Sequence, residues 1–146
     1  MYAEDYIQND VTTNDPVELV CLLYSKAIER LHLARTRLKE GNSAGCSEAV
    51  ARSMEIVLEL IGSLDIEEGG EIAQNLAALY LYVQEQLAEA STQQTAEPIN
   101  NAVGVLTTLL GGWKECRSAL LVEEVASHAQ PELVGEAAAP GRAWTL

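Results

Sequence analysis

Apolar residues recur at intervals of three and four along most of the chain, which is the spacing of one face of an α-helix. The pattern predicts four helices, at 16–40, at about 46–64, from just after Gly69-Gly70 to about 90, and from near Pro98 onward. Alternation of β-branched and polar residues, which is typical of strands, is absent. The apolar stripes of the four predicted helices are, in order, Val20, Leu23, Ala27, Leu31, Ala34 and Leu38; Val50, Met54, Val57, Ile61 and Leu64; Ile72, Leu76, Leu79, Val83, Leu87 and Ala90; and Ile99, Val103, Leu106, Leu110, Trp113 and Leu120.

Residues that favour helix ends and turns lie between these stripes. Asp15 is a good N-cap, Pro16 takes the first helical position, where a missing N–H costs nothing, and Glu18 completes a capping box. Gly41 is expected to end the first helix. The pair Gly69-Gly70 predicts a tight turn before the third helix, with both glycines at positive φ.

Four stripes of similar length, joined by short loops, are best buried against one another. We therefore predict an all-α fold, an antiparallel four-helix bundle over residues 15–125. Residues 1–14 form a polar N-terminal segment, and residues 126–146 form a tail rich in Ala, Gly and Pro that we expect to be mobile or loosely docked. A chain of 146 residues is the usual size of one domain.

The charge of the chain is strongly negative and unevenly placed. The chain has 22 acidic and 9 basic residues, for a formal charge of −13, and no Lys or Arg lies between Arg52 and Lys114. This balance argues against binding to nucleic acid or to an anionic membrane surface. The basic residues concentrate on the first helix, where they either pair with acidic neighbours or leave a field that steers a basic partner.

The remaining composition indicates a cytoplasmic protein without membrane insertion. The first ten residues carry no basic and apolar regions of a secretory signal, and the longest apolar run, 76–83, is far shorter than the ~20 residues of a membrane helix. The three cysteines, Cys21, Cys46 and Cys116, are odd in number and have no paired spacing, which is typical of reduced thiols.

Candidate catalytic and metal-binding groups are few, and we expect no enzyme activity and no cofactor. The chain has two histidines, His32 and His128. Glu29-x-x-His32 is half of a di-iron bundle motif, but the second half is missing because Val125 lies three positions before His128. The acidic run that begins at Asp65 fails as a calcium loop, since loop position 12 would be Leu76.

The helices also carry more apolar residues than one bundle core requires. Some of the additional residues can widen the core stripes. The others would leave an apolar groove with tyrosines at its rim, which is typical of a surface that another molecule covers. The cover could be a second copy in a homodimer, the N-terminal segment of the chain, or an amphipathic guest helix.

Several motifs resemble the flagellar secretion chaperone (FliS) family. The strongest block is 63–76, which is similar to the family's signature turn between its second and third helices and continues into Leu79-Tyr80-Leu81-Tyr82. Tyr6-x4-Val11-x-Thr13-x-x-Pro16 is similar to the family's N-terminal segment, and Leu109-Leu110 with Trp113 to its end. The chain departs from the family at Gly111-Gly112, where the fourth helix is expected to be kinked, frayed or closely approached, and from 118 onward.

The resemblance implies a chaperone that binds the disordered C-terminal segment of flagellin, prevents premature polymerisation and delivers the subunit to the flagellar type III export apparatus. The export gate and flagellar regulatory proteins are further expected partners. A helical dimer with a structural or regulatory role and no disordered client is the alternative. Changes at Leu23 or Val57 should affect stability rather than binding. The expected flagellin-groove residues are Leu19, Tyr24, Ile28, Ile56, Leu60, Tyr80, Tyr82 and Trp113, with Tyr6 and Val11 in the segment that covers the groove when no client is bound.

Overall fold

The computed structural model describes the backbone of residues 15–129 and the side chains of residues 15–116. Four helices make up this part of the chain: α1 (Pro16–Lys39), α2 (Ser43–Gly62), α3 (Ile66–Gln93) and α4 (Ala96–Ala129). No strand occurs among the residues described, and the predicted all-α fold is confirmed. None of these helices is long and apolar enough to cross a membrane.

The predicted Asp15 cap and the start of α1 at Pro16 are confirmed. The Asp15 carboxylate accepts hydrogen bonds from the backbone N–H groups of Val17, at 2.9 Å, and Glu18, at 3.4 Å. Pro16 occupies the first turn, where no donor is needed. At the other end, Gly41 adopts a φ of +75° and turns the chain into α2.

The connection between α2 and α3 differs from the prediction. Asp65, rather than a glycine, ends the turn, and its carboxylate caps α3 by accepting from Glu68 N–H at 3.0 Å. The helix therefore begins at Ile66, before the glycine pair. Gly70 alone adopts positive φ, with φ 54° and ψ −130°, and it bends α3 after its first turn. The two glycines thus form no interhelical turn, because the Asp65 side chain caps the helix ahead of them by accepting from the N–H of Glu68.

The four helices pack in a ring, in which α1 and α3 each contact both α2 and α4. Short connections make sequential neighbours antiparallel. The core is continuous through all four helices and includes both predicted stability positions, Leu23 and Val57. One buried polar side chain joins α1 and α2, where the Ser53 hydroxyl donates to the Ala27 carbonyl at 3.1 Å.

Two helices present a different face to the core from the one predicted. In α2, Ser53, Ile56 and Leu60 are buried, whereas Met54, Ile61 and Leu64 are only half-buried. In α3, Tyr80 is buried and the predicted core residues Ile72 and Leu79 are exposed. The middle of each predicted stripe is nevertheless buried, as at Val57 and Leu87, so each helix is rotated by less than the 100° that separates neighbouring positions.

The fourth helix continues through Gly111-Gly112 and on to Ala129, beyond the predicted bundle limit of 125. A Cβ atom added at Gly111 or Gly112 would meet no atom within 4 Å. The expected break or close approach at this pair is therefore not found. The predicted N-terminal segment, 1–14, and the tail from residue 130 lie outside the described residues.

Candidate functional site

An open groove of about 500 Å³ follows the outer edge of the contact between α3 and α4. We call it the α3–α4 groove. Its walls are mainly aliphatic, with amide and hydroxyl groups at the rim and no ionisable side chain. The lining residues are Leu79, Asn100, Asn101, Gly104, Val105, Thr108 and Leu109.

The α3 side of the groove is apolar and partly exposed. Leu79 and Tyr82 are three residues apart and so share the flank of α3 that faces α4. Their side chains are 38% and 39% exposed, respectively. One bond sets the register of the two helices, because the Asn101 amide donates to the Gln86 side-chain carbonyl at 2.9 Å. This face of α3 therefore runs alongside α4 with apolar surface open to an incoming chain.

On the α4 side, the groove has an open space at Gly104. Gly104 has no side chain, and a Cβ atom placed there would contact nothing within 4 Å. Val105 and Leu109 are half-buried and form the floor. The glycine therefore leaves room beside Leu79 that an apolar side chain of another molecule could fill.

The rim holds polar groups with defined partners. The side-chain oxygen of Asn100 accepts from the guanidinium of Arg35 at 2.8 Å, which ties α4 to α1 at one end of the groove. Amide rims beside an aliphatic floor suit an amphipathic peptide, which can bury its apolar face and keep its backbone satisfied as a helix.

A buried aromatic network holds three of the helices in position behind this site. The indole N–H of Trp113 in α4 donates to the hydroxyl of Tyr24 in α1 at 2.8 Å, and that hydroxyl is 2.5 Å from the hydroxyl of Tyr80 in α3. Burial raises the pKa of both phenols above the ordinary value of 10.0, so both are neutral. The network fixes the rotation of α3 and α4, and hence which of their residues face outward.

The structure separates the ten residues predicted for the flagellin groove into four groups. Tyr6 and Val11 lie outside the described residues. Tyr82 lies on the exposed flank of α3, beside the α3–α4 groove. The five that are buried in the core are Tyr24, Ile56, Leu60, Tyr80 and Trp113.

The last two predicted residues, Leu19 and Ile28, are half-buried on α1. They are nine residues apart, which places them on opposite sides of the helix at 100° per residue. One groove therefore cannot hold both. Contact of any of the ten residues with a partner stays a prediction.

Sequence reasoning missed Leu79, Val105 and Leu109 as surface residues. Leu79 fits the helical spacing of the predicted core stripe, so apolar periodicity places it inside. Periodicity alone does not reveal the hydrogen bond between the hydroxyls of Tyr24 and Tyr80, which turns Tyr80 inward and Leu79 outward. The glycines of the predicted fourth helix, Gly104, Gly111 and Gly112, were the available signal for a surface site, since a glycine inside a helix usually has a packing or functional reason.

Other candidate chemistry finds no support in the geometry. The exposed His32 ring contacts the Arg35 guanidinium, one turn away on the same helix. Burial raises the pKa of the Cys46 thiol, which opposes formation of a reactive thiolate. Within the described part of the chain, no three His, Cys, Asp or Glu residues cluster as a metal site.

Comparison with known proteins agrees with the motifs. The family model described as "Flagellar protein FliS" matches residues 1–120. The chain is 32% identical to the flagellar secretion chaperone FliS of Salmonella typhimurium over 115 residues, which cover 78% of this chain and 85% of that protein. It is 30% identical to the Campylobacter jejuni FliS chaperone, covering 75% and 86% of the two chains. It is also 30% identical to the chaperone FliSB of Pseudomonas aeruginosa, covering 77% and 89%. These relatives are named for secretion, a non-enzymatic role, and the chain belongs to the flagellar protein FliS family.

Proposed function

We propose that this protein is a cytosolic chaperone that holds the C-terminal segment of flagellin, prevents its polymerisation and delivers it to the flagellar export apparatus. Membership of the FliS family supports a role in flagellar secretion. The observation that carries the more specific proposal is the α3–α4 groove, whose half-exposed aliphatic walls lie open beside an uncharged rim.

The physical mechanism needs no nucleotide or cofactor. A disordered client becomes helical on binding, because a helix satisfies its own backbone groups while its apolar side chains enter the groove. Leu79 provides apolar surface on one wall, Tyr82 extends it one turn further along α3, and the space above Gly104 accepts a client side chain. Client surface that would drive self-association is then covered.

The direct test fills the groove without disturbing the fold. Gly104→Leu adds a side chain where nothing lies within 4 Å, and leucine favours a helix by about 1 kcal/mol over glycine. We expect this variant to unfold at the same or a higher temperature and to bind a peptide of the last ~40 flagellin residues at least about tenfold more weakly, a loss of about 1.4 kcal/mol. Calorimetric titration at several temperatures is the assay. The control is Leu58→Ser, an exposed position on α2 that does not line the groove, which should leave affinity unchanged.

A stable Gly104→Leu variant that binds the peptide as tightly as the native protein would contradict the groove assignment. If the native protein bound no flagellin peptide at all, the client itself would be wrong, and a helical dimer would become the better explanation.

The N-terminal segment is a proposed intramolecular competitor for the client. Its apolar residues, Tyr6, Ile7 and Val11, stand in an otherwise polar stretch. Deletion of residues 1–12 should raise client affinity, because the groove no longer has to be uncovered. Unchanged affinity would rule out this competition.

A further inference from the structure

A second exposed apolar surface lies on the other flank of α3, where that helix meets α2. Its centre is Leu58 of α2 and Leu81 of α3, whose side chains are 61% and 58% exposed. These are the two highest values among the large apolar residues in the described part of the chain. We call this surface the α2–α3 face.

Two hydrogen bonds show that Leu58 and Leu81 lie side by side. The Gln84 side-chain amide donates to the Met54 carbonyl at 3.0 Å, and the Gln94 amide donates to the Ser47 hydroxyl at 3.1 Å. Together they fix the register of the antiparallel pair. Leu58 is one turn beyond Met54, and Leu81 is about one turn before Gln84, so both are displaced in the same direction along the bundle.

Carboxylates lie beside this apolar pair, and the nearest basic residue in sequence is Arg52, six residues before Leu58. Glu55 lies three residues before Leu58, and Glu85 lies four residues after Leu81, so each shares the exposed side of its helix. Neither carboxylate has a hydrogen bond or ion pair with any residue that the structure describes. No Lys or Arg occurs from residue 53 to residue 113, so the negative field around the face is not neutralised by α3 or by most of α2.

The α2–α3 face is separate from the α3–α4 groove. Leu81 and Tyr82 are consecutive, and 100° of rotation turns the first toward α2 and the second toward α4. Opposite flanks of one helix therefore carry two apolar surfaces that differ in their rims. The groove has an amide rim, and the face has an acidic one.

We propose that the α2–α3 face binds an amphipathic helix of a second protein, one that carries Lys or Arg beside its apolar stripe, while the α3–α4 groove remains available to the client. Charge complementarity favours this occupant over a second copy of the chain and over the N-terminal segment. A second copy would bring Glu55 and Glu85 against like charges. The N-terminal segment, residues 1–14, contains three acidic residues and no basic one, so it suffers the same repulsion.

The test uses two synthetic peptides of about 18 residues, or five helical turns, with the same leucine stripe. One carries Lys at its polar positions and the other carries Glu. Fluorescence anisotropy with the full-length protein should show binding of the Lys peptide alone. Leu58→Ser/Leu81→Ser should weaken that binding at least about tenfold. Glu55→Gln/Glu85→Gln should weaken it at low ionic strength and have little effect at high ionic strength.

The control is Leu79→Ser/Tyr82→Ser, which removes two exposed apolar side chains from the opposite flank of α3. This variant should bind the Lys peptide with an affinity within about twofold of that of the native protein. The native protein saturated with the flagellin C-terminal peptide should also bind the Lys peptide with an affinity within about twofold of the original value. Equal loss in the control, or no loss in the Leu58/Leu81 variant, would overturn the proposal. If that variant failed to fold, Leu81→Ser alone would provide the comparison.

Three further outcomes would also overturn it. A dimer in sedimentation that dissociates in Leu58→Ser would assign the face to a second copy. Binding that appears only after deletion of residues 1–14 would assign it to the N-terminal segment. Displacement of the Lys peptide by the flagellin peptide would make the two surfaces one site. Flagellin binding is measured separately, so failure of this proposal and failure of the proposed function are distinguishable.

Discussion

Replacing Tyr24 by Phe should destabilise this bundle more than the same change at Tyr80. The Tyr24 hydroxyl is the centre of the buried network, since it accepts from Trp113 N–H at 2.8 Å and shares a hydrogen bond with the Tyr80 hydroxyl. Its loss removes one hydrogen-bond partner from each of two buried polar groups, the Trp113 N–H and the Tyr80 hydroxyl. Each such group costs about 1–3 kcal/mol, so we expect Tyr24→Phe to lower the free energy of unfolding by about 2–6 kcal/mol.

Tyr80→Phe leaves the bond between Trp113 and Tyr24 in place. Only the Tyr24 hydroxyl then loses a partner, and the expected cost is about 1–2 kcal/mol. In the double variant the Trp113 N–H is the one polar group of the network that remains, and it has lost the Tyr24 hydroxyl as its acceptor. Its cost should therefore fall short of the sum of the single changes by about 1 kcal/mol or more.

Urea unfolding followed by far-ultraviolet circular dichroism measures these differences, provided that the dependence on urea concentration stays the same in all variants. Tyr82→Phe is the control, because Tyr82 is 39% exposed and should change stability little. Equal costs for Tyr24→Phe and Tyr80→Phe, or strict additivity in the double variant, would refute the view that one hydroxyl joins α1, α3 and α4.

Three other predictions concern stability. Burial raises the pKa of Tyr24 and of Tyr80 above 10.0, so these phenols ionise first in the unfolded chain. The free energy of unfolding should therefore fall by about 1.4 kcal/mol per pH unit for each phenol as the pH rises above 10. In urea titrations over the same alkaline range, the double Phe variant should lose less stability. Gly70→Ala should lower the free energy of unfolding by about 1–3 kcal/mol, because a φ of 54° with a ψ of −130° suits glycine alone. Gly69→Ala should be near neutral, and comparison of the thermal unfolding of the two variants tests this difference. Ser53→Ala removes the bond to the Ala27 carbonyl and should lower the unfolding free energy by about 0.5–1.5 kcal/mol, and a stabilising effect in urea unfolding would contradict a structural role for that hydroxyl.

Sequence patterning was sufficient for the helices and for much of the core. Leu23, Leu31, Val57 and Leu87 were predicted as core residues from their spacing, and all are buried. Such positions lie near the middle of a stripe, so a small error in rotation leaves them inside. The Asp15 cap was predictable for a different reason, since a carboxylate before a proline-initiated helix has few other uses.

The surface site was not predictable in the same way, because it depends on the rotation of each helix. Leu79 and Tyr80 are equally good core candidates by hydrophobicity, and the choice between them depends on a hydrogen bond to a residue 56 positions away. Ser53 acts similarly in α2, since its bond to α1 draws it inward and leaves Met54 at the edge. Buried polar groups thus determined which apolar residues remained outside, and apolar periodicity carries no information about such bonds.

The glycines of α4 have a consequence for how the protein behaves when its groove is empty. Each glycine inside a helix costs about 1 kcal/mol relative to alanine, and Gly104, Gly111 and Gly112 all lie in α4. These glycines lower the intrinsic stability of the helix that forms one wall of the groove, and a segment that fills the groove would stabilise it by mass action. Empty and loaded forms should consequently differ in their lifetime against cellular proteases, so that the amount of chaperone in the cell would follow the supply of its client.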